Sequence, residues 1–127
     1  MANVLVVDDY PDFCQVVTRL LRAEGHAAVG VVDGAAAIDF VRRSPPDLVL
    51  LDMAMPGLNG LDVLAAIRDD PDLARTAVLI YSASVDPDAR SAAMRLGAQD
   101  YLVKSLTPFD ELSETVRRYV PQAEAHA

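Results

Sequence analysis

An α/β domain built on a five-stranded parallel sheet with helices on both faces is what this chain predicts, on three observations. Short runs rich in Val, Leu and Ile alternate five times with stretches whose apolar residues recur at helical spacing. The links between them are short, and right-handed crossovers between parallel strands then place helices on both sides, a doubly wound arrangement. The middle run, Leu48-Val49-Leu50-Leu51, has no polar alternation, as a strand covered on both faces requires.

The first strand is expected over Val4 to Val7. Pro11, tolerated in a first helical turn, then opens a helix whose Phe13, Val16, Val17, Leu20 and Leu21 share one face, with Gly25 as its stop. Ala27 to Val32 read as the second strand. Asp33 caps the next helix, which carries Ile38 and Val41 and is ended by Pro45-Pro46. After Leu48 to Leu51 comes a loop stiffened by Pro56 and loosened by Gly57 and Gly60, then a helix bearing Leu61, Leu64, Ala65 and Ile67. Val78 to Tyr81 form the fourth strand, Asp86-Pro87 cap and open the fourth helix, and Ala89, Ala92, Ala93 and Leu96 line its inner side up to Gly97. Tyr101 to Val103 are the short fifth strand. Thr107-Pro108 opens the last helix, with Phe109, Leu112, Val116, Tyr119 and Val120 facing inward. One folded unit is expected over residues 1–121, followed by a frayed tail over 122–127.

A chain of 127 residues fits one domain, which at that size buries roughly two-thirds of its unfolded surface. Hydrophobic residues make up 52% and charged ones 24%, a globular balance. The net charge of −8 disfavours direct contact with nucleic acid and favours a cation or a partner with a basic surface. Cys14 is the only cysteine, so no internal disulfide forms; it reads as a small hydrophobe in a reducing cytoplasm. The first residues carry no basic segment ahead of a long apolar core, so no secretion signal is expected. No apolar run approaches the roughly 18 residues of a membrane span.

The chemistry gathers at the strand ends. Asp8-Asp9 close the first strand, Asp52 the third, Ser82 the fourth and Lys104 the fifth. Parallel strands deliver these side chains to one edge, where open α/β sheets hold their ligands. Two carboxylates about 4 Å apart repel by about 4 kcal/mol at an effective dielectric near 20. Either one is protonated or a cation binds. Oxygen-only ligands suit Mg²⁺, which keeps several waters and favours phosphate oxygens. Lys104 is the only lysine in the chain, and a compact ammonium suits a point contact to a phosphoryl oxygen or a carboxylate. The Ser82 hydroxyl is placed to donate to an anion.

Val7-Asp8-Asp9, Asp52-Met53-Ala54-Met55-Pro56-Gly57 with Gly60, Ser82-Ala83, and Gly97-Ala98-Gln99-Asp100-Tyr101-Leu102-Val103-Lys104 stand in order along the chain. In these motifs the chain resembles a receiver domain of a two-component response regulator, of the chemotaxis-receiver kind, over essentially its whole length. The resemblance implies a flavodoxin-like strand order 2-1-3-4-5, with the receiver spanning residues 1–121. It implies that Asp52 accepts a phosphoryl group from a phosphohistidine on a histidine kinase or histidine phosphotransferase. Asp8, Asp9, Asp52 and the backbone carbonyl of Ala54 would hold Mg²⁺, while Lys104 and Ser82 meet the phosphoryl oxygens. Ala83 would leave access to the site, and Ala54 and Ser84 lie where receivers tune phosphoryl lifetime. Ser82 and Tyr101 would be the switch: Ser82, drawn to the phosphate, vacates space into which Tyr101 turns. The output surface would be the last two helices and the fifth strand, read by a downstream protein. Neither direct nucleic-acid binding nor a membrane role is implied, and a weak homodimer is compatible. The domain would not be an enzyme beyond its own phosphoryl transfer and autodephosphorylation.

Ser105 departs from the pattern, because most receivers have a proline there joined by a cis bond. A non-proline cis bond costs about 3–4 kcal/mol, so the Lys104–Ser105 bond is expected to be trans, with a remodelled loop before Thr107. Neither Ala54 nor Ser84 easily orients or blocks an attacking water, so hydrolysis of intermediate speed is expected. Two other functions fit the fold. A non-phosphorylated scaffold for protein binding would not need all five strand-end side chains. A phosphatase with an aspartyl nucleophile would need a further acid or base, which Ala54 does not supply.

Overall fold

The computed structural model describes residues 2–121; the tail expected at 122–127 lies outside them. Five strands, β1 (Asn3–Val7), β2 (Ala27–Val31), β3 (Leu48–Leu51), β4 (Ala77–Ser82) and β5 (Asp100–Val103), alternate with five helices. The helices are α1 (Pro11–Ala23), α2 (Gly34–Arg43), α3 (Gly60–Asp69), α4 (Pro87–Arg95) and α5 (Phe109–Tyr119). The sheet order is β2-β1-β3-β4-β5 and every pairing is parallel, the arrangement expected.

The apolar runs lack alternation because each strand has a core on both sides. Leu5, Val7, Val49, Leu51, Val78 and Ile80 pack with Val63, Leu64 and Ile67 of α3, Ala37 and Val41 of α2, and Ala93 of α4. Their sequence neighbours Val4, Val6, Leu48, Leu50 and Leu79 face the other way, onto Val17 and Leu21 of α1 and Leu112 and Val116 of α5. Asp33 and Asp86 cap α2 and α4 by accepting from the amides of Ala36 and Asp88, as expected. At α3 the cap is a reciprocal pair: Asn59 accepts from the amide of Asp62 at 3.0 Å, and Asp62 accepts from that of Asn59 at 3.0 Å.

Several details differ from expectation. Val32 lies beyond the end of β2 and is exposed, as are Val16 in the middle of α1 and Leu96 just past the end of α4. The buried line of α1 runs instead through Cys14, Val17, Thr18 and Leu21, with the Thr18 hydroxyl donating to the Cys14 carbonyl. A 3₁₀ turn over Lys104–Leu106 precedes α5, Pro108 rather than Thr107 takes its cap position, and Phe109 turns toward solvent. Arg68 is an unforeseen tie across the sheet edge. Its guanidinium donates to the carbonyls of Gly97 and Thr76 and to the side chain of Gln99, which also accepts from the Val78 amide. Among the described residues, no helix is long and apolar enough to cross a membrane.

Candidate functional site

Register assembles the site. Val7 pairs with Leu51 and Leu51 with Ile80, so Asp8 and Asp52, each one residue further on, leave adjacent strands side by side. Backbone bonds fix both positions: the Asp8 amide donates to the Val31 carbonyl at 3.2 Å and the Asp52 amide to the Val7 carbonyl at 3.0 Å. Oxygens of Asp8, Asp9 and Asp52 all lie within 4.8 Å of one another. Asp8 and Asp52 are buried, while Asp9 is more open to solvent.

The Lys104 ammonium reaches into this group, 2.6 Å from Asp8 Oδ2 and 3.6 Å from Asp52 Oδ2. The Tyr10 amide donates to the other oxygen of Asp8 at 2.9 Å. Asp52 accepts only a long bond, 3.4 Å, from the Ala54 amide. Burial pushes the Asp52 carboxyl above its ordinary range; Lys104 pulls it down, and the charge of Asp8 pushes it up again. A buried, weakly solvated carboxylate beside two others is a poor resting place for three negative charges. The donor set, hard oxygens with one open side, fits Mg²⁺.

Asp8, Asp9, Asp52, Ser82 and Lys104 all lie at the carboxyl edge of the sheet, whereas Tyr101 stands near the start of β5. Ser82 is fully buried at the end of β4, its hydroxyl accepting from the Ser84 amide at 3.3 Å. Ala83 is exposed and Ser84 half-buried in the loop that follows, and the exposed Ala54 sits just past Asp52. Among the described residues no peptide bond is cis, so Lys104–Ser105 is trans, and the remodelled segment is the 3₁₀ turn. Tyr101 differs from expectation. Its ring is turned inward, 4% exposed in the same apolar core as Ala93 and Ala98, and its hydroxyl donates to the Ser84 carbonyl at 3.0 Å. Burial of the ring and the bond from its hydroxyl to the loop carbonyl together hold it inward.

The residues around the lysine were not read from the sequence as part of the site. Lys104 Nζ stands 4.6 Å from the centre of the Phe13 ring and 5.9 Å from that of Tyr81. Phe13 looks like one more apolar residue on a helix face, and Tyr81 like one more strand residue. Only the placing of Tyr81 just before Ser82 hinted at the site.

Gly60 holds the loop after Asp52 in place. Its amide donates to the Met53 carbonyl at 3.0 Å, and an added Cβ would fall on the Asp52 carbonyl oxygen and 2.7 Å from Met53 Cα. Both obstacles are backbone, so the loop itself must shift. Gly60→Ala is expected to destabilise the domain by about 2 kcal/mol, read from the midpoint of a denaturant titration, and to weaken Mg²⁺ binding.

An acidic crevice with a lysine and a serine, opening where β1 and β3 part in a 2-1-3-4-5 sheet, defines a receiver of two-component signalling. The chain belongs to that family: the model of the response regulator receiver domain matches residues 4–117. It is similar to the DNA-binding response regulator MtrA of Mycolicibacterium smegmatis, 38% identical over 115 residues that cover 91% of this chain and 49% of that protein. It is also similar to protein PilH of Pseudomonas aeruginosa, 33% identical over 111 residues, 87% of this chain and 89% of that protein. The structure of Vibrio cholerae chemotaxis protein CheY4 matches with a TM-score of 0.88 at 27% identity, covering 94% of this chain and 99% of that one. The chain spans about half the length of MtrA and its mycobacterial counterparts.

Proposed function

We propose that this receiver accepts a phosphoryl group on Asp52 from a phosphohistidine of a histidine kinase or histidine phosphotransferase, and thereby switches a protein-binding surface. The observation that carries this is the meeting of three carboxylates within 4.8 Å with one ammonium 2.6 Å and 3.6 Å from two of them. An oxygen of Asp52 forms the new O–P bond as the P–N bond to the imidazole breaks. Because the transferring group is loosely bonded in the transition state, alignment and charge neutralisation supply most of the catalysis. Asp8, Asp9, Asp52 and the Ala54 carbonyl would hold Mg²⁺, which when bound offsets charge on the phosphoryl oxygens. Lys104 neutralises a further oxygen, Ser82 donates a hydrogen bond, and Ala83 leaves the approach open.

The switch lies in the loop after β4. Tyr101 bonds the Ser84 carbonyl, so Ser82 closing on the phosphate would act on the same loop that holds the inward ring. Ser84 therefore bears on both the lifetime of the phosphoryl group and the hold on Tyr101. The chemistry is confined to the chain's own phosphorylation and its hydrolysis. A charge of −8 directs output toward a protein rather than nucleic acid, a weak homodimer included. The cytoplasm is the proposed setting.

Incubation with Mg²⁺ and acetyl phosphate tests the reading. Stoichiometric labelling, acid-stable and base-labile, is expected; it should vanish in Asp52→Asn and with a chelator. Folded wild-type protein that takes no label would instead be a scaffold. Many turnovers on varied phosphate esters would make it a hydrolase.

A further inference from the structure

We infer that Phe13 and Tyr81 are positioning residues that hold the Lys104 ammonium over the acidic crevice, a role that rests on the phosphoacceptor reading above. The Lys104 ammonium stands 4.6 Å from the Phe13 ring centre and 5.9 Å from that of Tyr81, both within cation–π range. The rings come from different elements, α1 and β4, and steady each other with centroids 5.9 Å apart. Phe109, at the start of α5, packs against Phe13 with ring centres 6.1 Å apart. Together with Lys104, Thr107 and Pro108 they line a cleft of about 260 Å³.

The need for such a shelf follows from the lysine's own loop. Lys104 opens a 3₁₀ turn, Ser105 and Leu106 are exposed, and the bond between Lys104 and Ser105 is an ordinary trans peptide. Nothing in that turn locks the direction of a four-carbon side chain, which has much rotamer freedom to lose. Asp8 holds the ammonium at 2.6 Å, but a carboxylate that holds it also quenches its charge, and Asp8 has a second claim from the metal. An aromatic face attracts the ammonium through its quadrupole while adding no negative charge. The rings thus help to hold Lys104 over the crevice without adding to the quenching by Asp8. The rings also screen one side of the ammonium from water, which strengthens its pull on an anion. Burial, with the charge of Asp8 second, pushes the Tyr81 hydroxyl up, so this ring stays neutral beside the site.

Because Lys104 is the only lysine, ¹³C,¹⁵N-lysine labelling of the whole chain yields one side-chain spin system. In the wild type its ε-methylene signals are expected upfield of the free-lysine position through the ring current of Phe13. Phe13→Leu, which keeps apolar bulk, should return them toward that position; Phe13→Trp, which restores a ring face, should shift them upfield again. Phe13→Leu should also slow labelling by acetyl phosphate about tenfold, and Tyr81→Leu by less. In a Lys104→Met background the Phe13→Leu effect should disappear, whereas a purely structural defect would persist. Wild-type lysine signals at the free position, or a Phe13→Leu effect undiminished without Lys104, would overturn the inference. Failure of the wild type to take label would instead overturn the phosphoacceptor reading, while the lysine shift would still report the shelf.

Discussion

Lys104→Met is expected to destabilise the metal-free domain by about 3 kcal/mol and to slow phosphoryl uptake by about 100-fold or more. The methionine keeps an apolar stem against Phe13, so what is lost is the charge. The ammonium is the one cation in contact with both Asp8 and Asp52 among the ion pairs of the described residues, and the side chains of both acids are under a tenth exposed. Removing one member of a buried ionic group leaves the others without compensation, which costs far more than losing a surface pair. Mg²⁺ restores positive charge to the same oxygens, so it should recover much of the lost stability by binding the folded state alone. It should not recover the rate, because the lysine acts on the incoming anion. Denaturant titrations in chelator and in Mg²⁺, beside labelling time courses, separate the two. A variant as stable as wild type in chelator would show that the acidic group does not depend on its lysine.

How far these side chains can be read from the chain alone depends on what brings them together. Strand ends are local features: an apolar run stops, a carboxylate or serine follows, and parallel pairing carries each one to the same edge. Asp8, Asp52, Ser82 and Lys104 were therefore legible before any fold was seen, given only that the strands are parallel. Adjacency of Asp8 and Asp52 needed more, namely that β1 lies beside β3, which pattern does not state and the receiver likeness supplied. The shelf beneath Lys104 was not legible, since Phe13 and Tyr81 serve helix and strand patterns equally well without it. Arg68 escaped for the same reason: its partners Thr76, Gly97 and Gln99 include two backbone carbonyls, which leave no mark in a sequence. The inward setting of Tyr101 is not legible either, because it rests on packing and on a hydrogen bond to the backbone carbonyl of Ser84, neither of which leaves a mark in the sequence.

Asp52→Asn should abolish labelling and at the same time raise the stability of the metal-free domain at neutral pH by about 1–2 kcal/mol. The reason lies in what the carboxylate endures there. Burial lifts its folded pKa above the value in the unfolded chain, and the positive charge of Lys104 offsets this only in part. Across the interval between those two values the folded state holds more protons than the unfolded one, so this group's contribution to stability falls as pH rises. That contribution is fully present below the unfolded value and gone above the folded one. An asparagine has no such titration. The advantage of Asp52→Asn should accordingly be larger at neutral pH and shrink on acidification into the carboxylate range. Mg²⁺ should act in the opposite sense, stabilising the wild type more than a variant that has given up a charged ligand. Thermal melts of both proteins across pH, with chelator or Mg²⁺, provide the test. A variant less stable than wild type in chelator at neutral pH would mean that Asp52 sits comfortably ionised, and that the crevice is not held ready for a cation.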